Sequence, residues 1–239
     1  KHGLTTFDPA GQPLYRHPTT TLLEACVSLF RRWDYESLAA LIRHPDFLRY
    51  MAGKDAGLSA PTLLRELDDF QNEHLPRKLP DTLAVDNMPG GQLKNAFEQI
   101  KELSARVAAH GAPDVLLEVL ADVYSGRELN LQARDDKVFA DAANAICDTA
   151  AEFDTPFFTQ AELPESLSAA LLLRRLRDGR IYPERERGSV DLQGWLELHW
   201  DDAPCMVLTG MNEGRVPAAI VGDAFLPEAA RRQLGIPGN

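Results

Sequence analysis

The stretch Val190-Asp-Leu-Gln-Gly-Trp-Leu-Glu-Leu-His-Trp-Asp-Asp-Ala-Pro-Cys-Met-Val-Leu-Thr-Gly-Met-Asn-Glu-Gly-Arg-Val-Pro217 decides the fold class. Its first part, Val190 to Leu198, reads as a strand, with Leu192, Leu196 and Leu198 on one parity. Asp201, Asp202 and Pro204 make a polar turn, and Cys205 to Leu208 is a continuous apolar run. A short apolar run bounded by turn residues reads as a strand buried on both faces, the signature of a parallel sheet covered by helices. The run stops on Thr209-Gly-Met-Asn-Glu-Gly214. A small polar loop with two glycines at such a strand end is where parallel sheets place ligands. The stretch therefore predicts an α/β centre.

Upstream of it the chain reads as almost all helix. Lys1 to Pro18 is extended and turn-rich, dominated by Asp8-Pro-Ala-Gly-Gln-Pro13. Thr19 to Thr21 offer an N-cap for a helix to about Trp33, with Leu22, Cys26, Leu29 and Phe30 on one face. Tyr35 to Ile42 is a second helix, ended by Arg43-His44-Pro45 because proline disfavours helix at the residue before it, and Asp46 to Met51 is a further turn. Pro61 suits the first position of a helix over Thr62 to His74. Leu75 to Gly91, with three prolines and two glycines, is a linker. Leu93 to His110 follows as an amphipathic helix (Phe97, Ile100, Leu103, Val107) closed by Gly111. Asp114 to Tyr124, Lys137 to Phe153 and Leu163 to Arg177 complete the helical region. No internal repeat argues for a solenoid.

The fold class expected is thus α/β, predominantly helical: a small parallel-sheet lobe with a large helical insertion. In residue terms, 1–18 is the first segment of the lobe, 19–178 the helical insertion with its linker at 75–91, and 179–239 the returning α/β segment.

Composition excludes several classes. A chain of 239 residues, 44% hydrophobic and 26% charged, suits an ordinary globular protein rather than a disordered one. No apolar run approaches the roughly 18 residues that span a bilayer, and no basic-then-apolar leader opens the chain, so the expectation is a cytoplasmic protein with no membrane partner. The opening residue is Lys1 rather than Met, which reads as an excised piece. Cys26, Cys147 and Cys205 are odd in number and far apart, so neither a disulfide framework nor a zinc site is indicated, and all three are expected as buried thiols. A net charge of -11 argues against a dedicated nucleic-acid binder and leaves room only for a local basic patch. That patch is best sought in Arg174-Arg-Leu-Arg-Asp-Gly-Arg-Ile-Tyr-Pro-Glu-Arg-Glu-Arg187, with six arginines against three acids; the alternative is a salt-bridged solvated surface.

Two blocks carry a family resemblance. Asp8-Pro-Ala-Gly-Gln-Pro-Leu14 followed by Leu38-Ala-Ala-Leu-Ile-Arg-His-Pro45 is similar to the "aGrpL … lLrHP" pattern of AddB-type subunits of bacterial helicase-nuclease complexes. Gly194, Leu196-Glu197, Gly210 and Asn212-Glu-Gly-Arg-Val-Pro217 resemble the same family's "GlLEar … vvilGlNEGxxP". The resemblance covers about a third of the chain, at its two ends. It implies the part of a UvrD-like superfamily 1 helicase that holds the second RecA-like lobe and its helical insertion. It also implies DNA as a partner, an AddA-like motor and nuclease subunit as another, and a role in double-strand break repair and recombination. ATP, Mg²⁺ and an iron-sulfur cluster would belong to the parent complex, outside these residues.

The resemblance departs from an active motor where it matters. Active relatives read T-x-H-x-x-K-G-L-E where this chain has Val190-Asp-Leu-Gln-Gly-Trp-Leu-Glu197, so Leu-Glu is kept and the Thr, His and Lys are not recognisable. No G-x-x-x-x-G-K-S/T phosphate loop occurs, and the Arg-rich motif that would supply an arginine finger is expected beyond Asn239. The expectation is a catalytically degenerate lobe, with no catalytic residue and no cofactor of its own.

Each candidate residue has a plain alternative. Glu197 is a switch carboxylate, as the resemblance implies, or a strand-end acid paired with backbone or Arg. Asn212-Glu213-Gly214 contacts a ligand or DNA, or only builds a turn. Trp195 and Trp200 stack on bases, or pack in a core, which aromatic residues do more often. Arg174, Arg175, Arg177, Arg180 and Trp195 form the candidate DNA-binding set. Pro113-Asp114 with Asp135-Asp-Lys137 mimics the spacing of a PD-(D/E)xK nuclease, but that chemistry needs strands and these residues fall in helices. His199 with Asp201 and Asp202 lacks a second His and reads as a turn rather than a metal site. The function from a different class is a small α/β enzyme or binding module that takes a mononucleotide or phosphorylated ligand at Thr209 to Gly214.

Overall fold

The computed structural model describes residues 5–54, 57–79, 91–110, 112–154, 164–194, 196–212 and 233–234. The chain divides into two units, Lys1–Leu192 and Gln193–Asn239. The first unit is mostly helical, with eight α-helices among the described residues: α1 (Pro18–Arg32), α2 (Tyr35–Ile42), α3 (Pro45–Lys54), α4 (Ala60–His74), α5 (Gly91–His110), α6 (Ala112–Tyr124), α7 (Arg134–Ala151) and α8 (Glu165–Asp178). Four two-residue strands flank them: β1 (Thr6–Phe7), β2 (Gln12–Pro13), β3 (Arg180–Ile181) and β4 (Val190–Asp191). None of the described helices is long and apolar enough to cross a membrane.

The helices form where periodicity and caps agree. Pro18 opens α1 with its φ already helical, and the His17 ring, rather than one of the threonines that follow, accepts the Thr19 N–H. Asp34 caps α2 by accepting the Ser37 N–H at 2.9 Å. Pro45 both ends α2 and starts α3, because a proline that cannot continue one helix suits the first turn of the next. The Glu66 carboxylate, almost fully buried, accepts the Leu93 N–H at 2.8 Å, which ties α4 to the free amides at the start of α5. α1 is the central element and packs against α2, α3, α6, α7 and α8. Its Leu22, Leu23 and Leu29 are fully buried, each contributing about 1.5–3 kcal/mol of transfer free energy.

The segments on either side of the helical region pair with each other. β1 and β4 are parallel, Thr6 opposite Val190 and Phe7 opposite Asp191, with Leu192 N–H donating to Phe7 C=O at 2.7 Å. β2 and β3 are antiparallel, Gln12 opposite Ile181. Gly11 sits at φ +76, and a Cβ there would lie 2.8 Å from the Ile181 carbonyl oxygen, so the β2–β3 approach depends on its missing side chain. Such short pairs are marginal alone. Arg180 supports one by donating to the Ala10 C=O at 2.9 Å, and Arg134 the other by donating to the Thr6 C=O at 3.2 Å.

The second unit corrects the central expectation of the sequence. Cys205 to Leu208 is not a strand, and Val207 is 83% exposed. Of the expected strand Val190 to Leu198, only Val190–Asp191 pairs, while Glu197–Trp200 is a 3-10 turn and Leu196 is exposed. The physical reason is that a strand exists through its neighbours, and 205–208 form no backbone ladder with any described residue. A RecA-like lobe is therefore not seen among the described residues. Two cysteines also differ from expectation: Cys26 is buried, but Cys147 and Cys205 are exposed. Burial pushes the Cys26 thiol up to about 12, which makes it inert near neutral pH.

Candidate nucleic-acid interface

The arginine-rich stretch falls on the last turns of α8, on β3 and on the loop to β4, and half of its arginines are matched by carboxylates. Arg175 donates twice to the Glu152 carboxylate, at 2.6 and 3.1 Å. Arg177 pairs with Glu24 of α1. Arg185 makes a two-pronged bond to Asp191, at 2.7 and 2.9 Å, which lowers the Asp191 carboxyl mainly through that hydrogen bond. Arg180 is committed to the Ala10 and Gly11 carbonyls. Arg174 and Arg187 are exposed and make no ion pair among the described residues. Exposed ion pairs are worth only about 0.2–1 kcal/mol, but each presents no net charge to a phosphate, so Arg175, Arg177 and Arg185 are cancelled, while Arg180, bonded to neutral carbonyls, keeps its charge as Arg174 and Arg187 do.

The helicase-like motif residues lie elsewhere. Gly194 and Glu197 share one turn, closed by Glu197 N–H donating to Gly194 C=O at 3.2 Å, and the Glu197 carboxylate folds over Gly194 so closely that a Cβ would collide with it. Gly210 takes φ +76, and Asn212 N–H donates back to its carbonyl at 2.8 Å. Asn212 is exposed. Trp200 is 88% exposed rather than packed in a core, because it falls on an isolated 3-10 turn with none of its described residues buried. Trp195, Glu213, Gly214 and Pro217 lie outside the described residues. The structure thus brings Gly194, Leu196 and Glu197 together and leaves Gly210 and Asn212 on a separate exposed segment.

Two groupings were not legible beforehand. The first is a cleft of about 410 Å³ just past the ends of the parallel β1 and β4 strands, lined by Asp8, Arg16, His17 and Arg134 among others. Arg134 is shared between the Thr6 carbonyl and Glu186 at 3.4 Å. Burial, aided by the Arg127 charge and opposed by Asp46, holds the His17 imidazole below its usual value, so it presents a neutral ring. The second is a basic edge at the C-terminal end of α1. Arg31 and Arg32 close the helix there, and the segment after α4 crosses beside it through an Asp34–Lys78 bridge. Tyr35 N–H donates to the Arg77 C=O at 3.3 Å and Leu79 N–H to the Trp33 C=O at 3.1 Å.

The residues of the nuclease-like spacing fall in helices. Asp114 lies in the first turn of α6 and Asp135, Asp136 and Lys137 in α7, with Asp136 held by Arg127 and Lys137 by Glu184. Among the described residues no three His, Cys, Asp or Glu side chains are grouped to hold a metal ion. In comparisons with known proteins, no family model matches the chain, and no curated protein and no solved structure matches it.

Proposed function

We propose that this chain is a segment of an AddB-type helicase-nuclease subunit, a catalytically degenerate helicase-like lobe with its helical insertion that contacts DNA in double-strand break repair. The observation that carries the reading is the parallel pairing of β1 with β4: the chain leaves a strand at Phe7, runs through the helical unit and returns to add a parallel strand at Val190. A helical domain inserted between neighbouring parallel strands is what the resemblance implies for this region. It supports the assignment independently of the motif residues. The absence of a phosphate loop from the sequence supports a lobe that contacts DNA or braces the complex while an AddA-like partner and a nuclease domain do the chemistry.

A paired assay on the purified chain tests this. Expected are no ATP turnover, with or without DNA, and weak DNA binding that fades with salt. ATP hydrolysis that DNA stimulates and that scales with chain concentration would overturn the degenerate reading. Absence of binding to any DNA form at low salt would overturn the DNA contact.

A further inference from the structure

We infer that the edge formed by Arg31, Arg32, Arg77 and Lys78 takes the backbone phosphates of a DNA strand. The inference rests on the proposed DNA-contacting role and names the surface that performs it.

Four exposed cations are contributed by two parts of the chain that touch there. Arg31 and Arg32 are the last residues of α1, Arg77 and Lys78 lie on the crossing segment, and all four side chains are exposed. The Lys78 ammonium donates to the Arg32 carbonyl at 3.0 Å, which fixes that charge at the C-terminal end of α1. That bond uses one of three donors of Lys78 and leaves its charge intact. Arg31, Arg32 and Arg77 make no ion pair among the described residues. In this respect the edge differs from the α8 stretch, where Glu152, Glu24 and Asp191 have already neutralised their arginines.

The acids that face the edge leave it cationic at close range. Asp34 lies within it, and its carboxylate is engaged by the Ser37 N–H at the start of α2. Burial pushes that carboxyl up, but the Ser37 bonds and the Arg32 and Lys78 charges hold it below its ordinary value, so it stays ionised and cancels one charge. Glu36 in the first turn of α2 and Glu73 in the last turn of α4 flank the edge, Glu73 lying 3.9 Å from His74. The arginines suit a phosphodiester because each offers a planar fork of donors. Leu75, 77% exposed beside Arg77, offers an apolar contact to an unstacked base.

The test uses the full 239-residue chain and labelled single-stranded and duplex oligonucleotides, with anisotropy read across a salt series from about 0.025 to 0.2 M. The variant R31Q/R32Q/R77Q removes three charges but no backbone bond, since Lys78 holds the Arg32 carbonyl and not its side chain. An unchanged thermal midpoint confirms its fold. The control R175Q/R177Q/R185Q removes three charges that are already paired. Expected is a loss of about tenfold or more in affinity at low salt for the edge variant, with the salt slope falling by about 2 units, at roughly 0.7–0.9 per phosphate lost. The control variant is expected to bind within about threefold of the parent. Loss confined to one nucleic-acid form supports the edge and identifies the form. An edge variant that binds both forms like the parent overturns the edge and leaves the DNA-contacting role standing. A parent chain that binds neither form overturns both.

Discussion

Gly11→Ala probes the feature on which the whole arrangement closes, the return of the post-helical segment onto the N-terminal one. At φ +76 an alanine incurs the left-handed penalty of about 1–2 kcal/mol that glycine escapes. Its Cβ would also stand 2.8 Å from the Ile181 carbonyl oxygen and 2.9 Å from the Tyr182 ring. The ring is 66% exposed and can swing away, but the carbonyl belongs to β3 and moves only if the β2–β3 pairing loosens, which adds about 1–3 kcal/mol. The sum, about 2–5 kcal/mol, is a large share of the 5–15 kcal/mol margin typical of a domain. At about 2–4 °C per kcal/mol for a chain of this size, the thermal midpoint should fall by about 4–20 °C. Circular dichroism melting of Gly11→Ala beside Gly53→Ala reads the effect, because Gly53 lies in α3 with nothing within 4 Å of where a Cβ would stand and should tolerate the change. A Gly11→Ala midpoint within about 1 °C of the parent would refute the close approach, and with it the pairing of the flanking segments.

Val207→Asp should leave the midpoint unchanged to within about 0.5 kcal/mol of stability, since an exposed side chain outside any element has no buried environment to lose; a mutant that fails to fold would restore the buried-strand reading of Cys205 to Leu208. Stability should decline as pH falls from about 7 to 5.5, because burial holds His17 and His44 below the ordinary imidazole value and the unfolded chain therefore binds more protons in that window. Asp46 opposes the shift at both sites and Arg127 reinforces it at His17. The His44 Nε2 faces the Pro18 carbonyl at 3.1 Å and so carries the proton, leaving Nδ1 buried with no partner among the described residues. A melting series on the parent and His44→Gln should show a flatter pH dependence in the variant, and identical profiles would exclude His44 as a source.

The helices were legible because their determinants are local. The α2 boundaries coincide with the reading from the sequence, and Pro61 falls in the first turn of α4 as its fixed φ demands. What was misread in α7 was a matter of face. Phe139, Ala142, Ile146 and Ala150 form its buried stripe at helical spacing, and Cys147, one residue off that stripe, points outward. The apolar run Cys205 to Leu208 failed for a different reason. Periodicity reports what a segment could bury, whereas a strand also needs a partner edge that the segment's own sequence does not encode.

The same distinction governs the candidate interface. Sequence counts charges along the chain, but a phosphate responds to charges that are unmatched in space. Glu24 reaches Arg177 across 153 residues, and no local window could have cancelled that arginine. Conversely, Arg31-Arg32 and Arg77-Lys78 are two unremarkable dipeptides until a contact spanning 46 residues joins the segments that carry them. With a net charge of -11, a polyanion is repelled at long range, and attraction begins only within about 8–10 Å, the screening length near physiological salt. Within that distance the cations of the chain are not equivalent. Those paired with carboxylates add nothing unless the pair is broken and its carboxylate left facing a phosphate, while those whose helix end and crossing segment leave them unmatched attract from the start. A short edge of unpaired charges is therefore expected to outweigh a longer run in which half are paired, and an affinity arising there should be modest, local and steeply sensitive to salt.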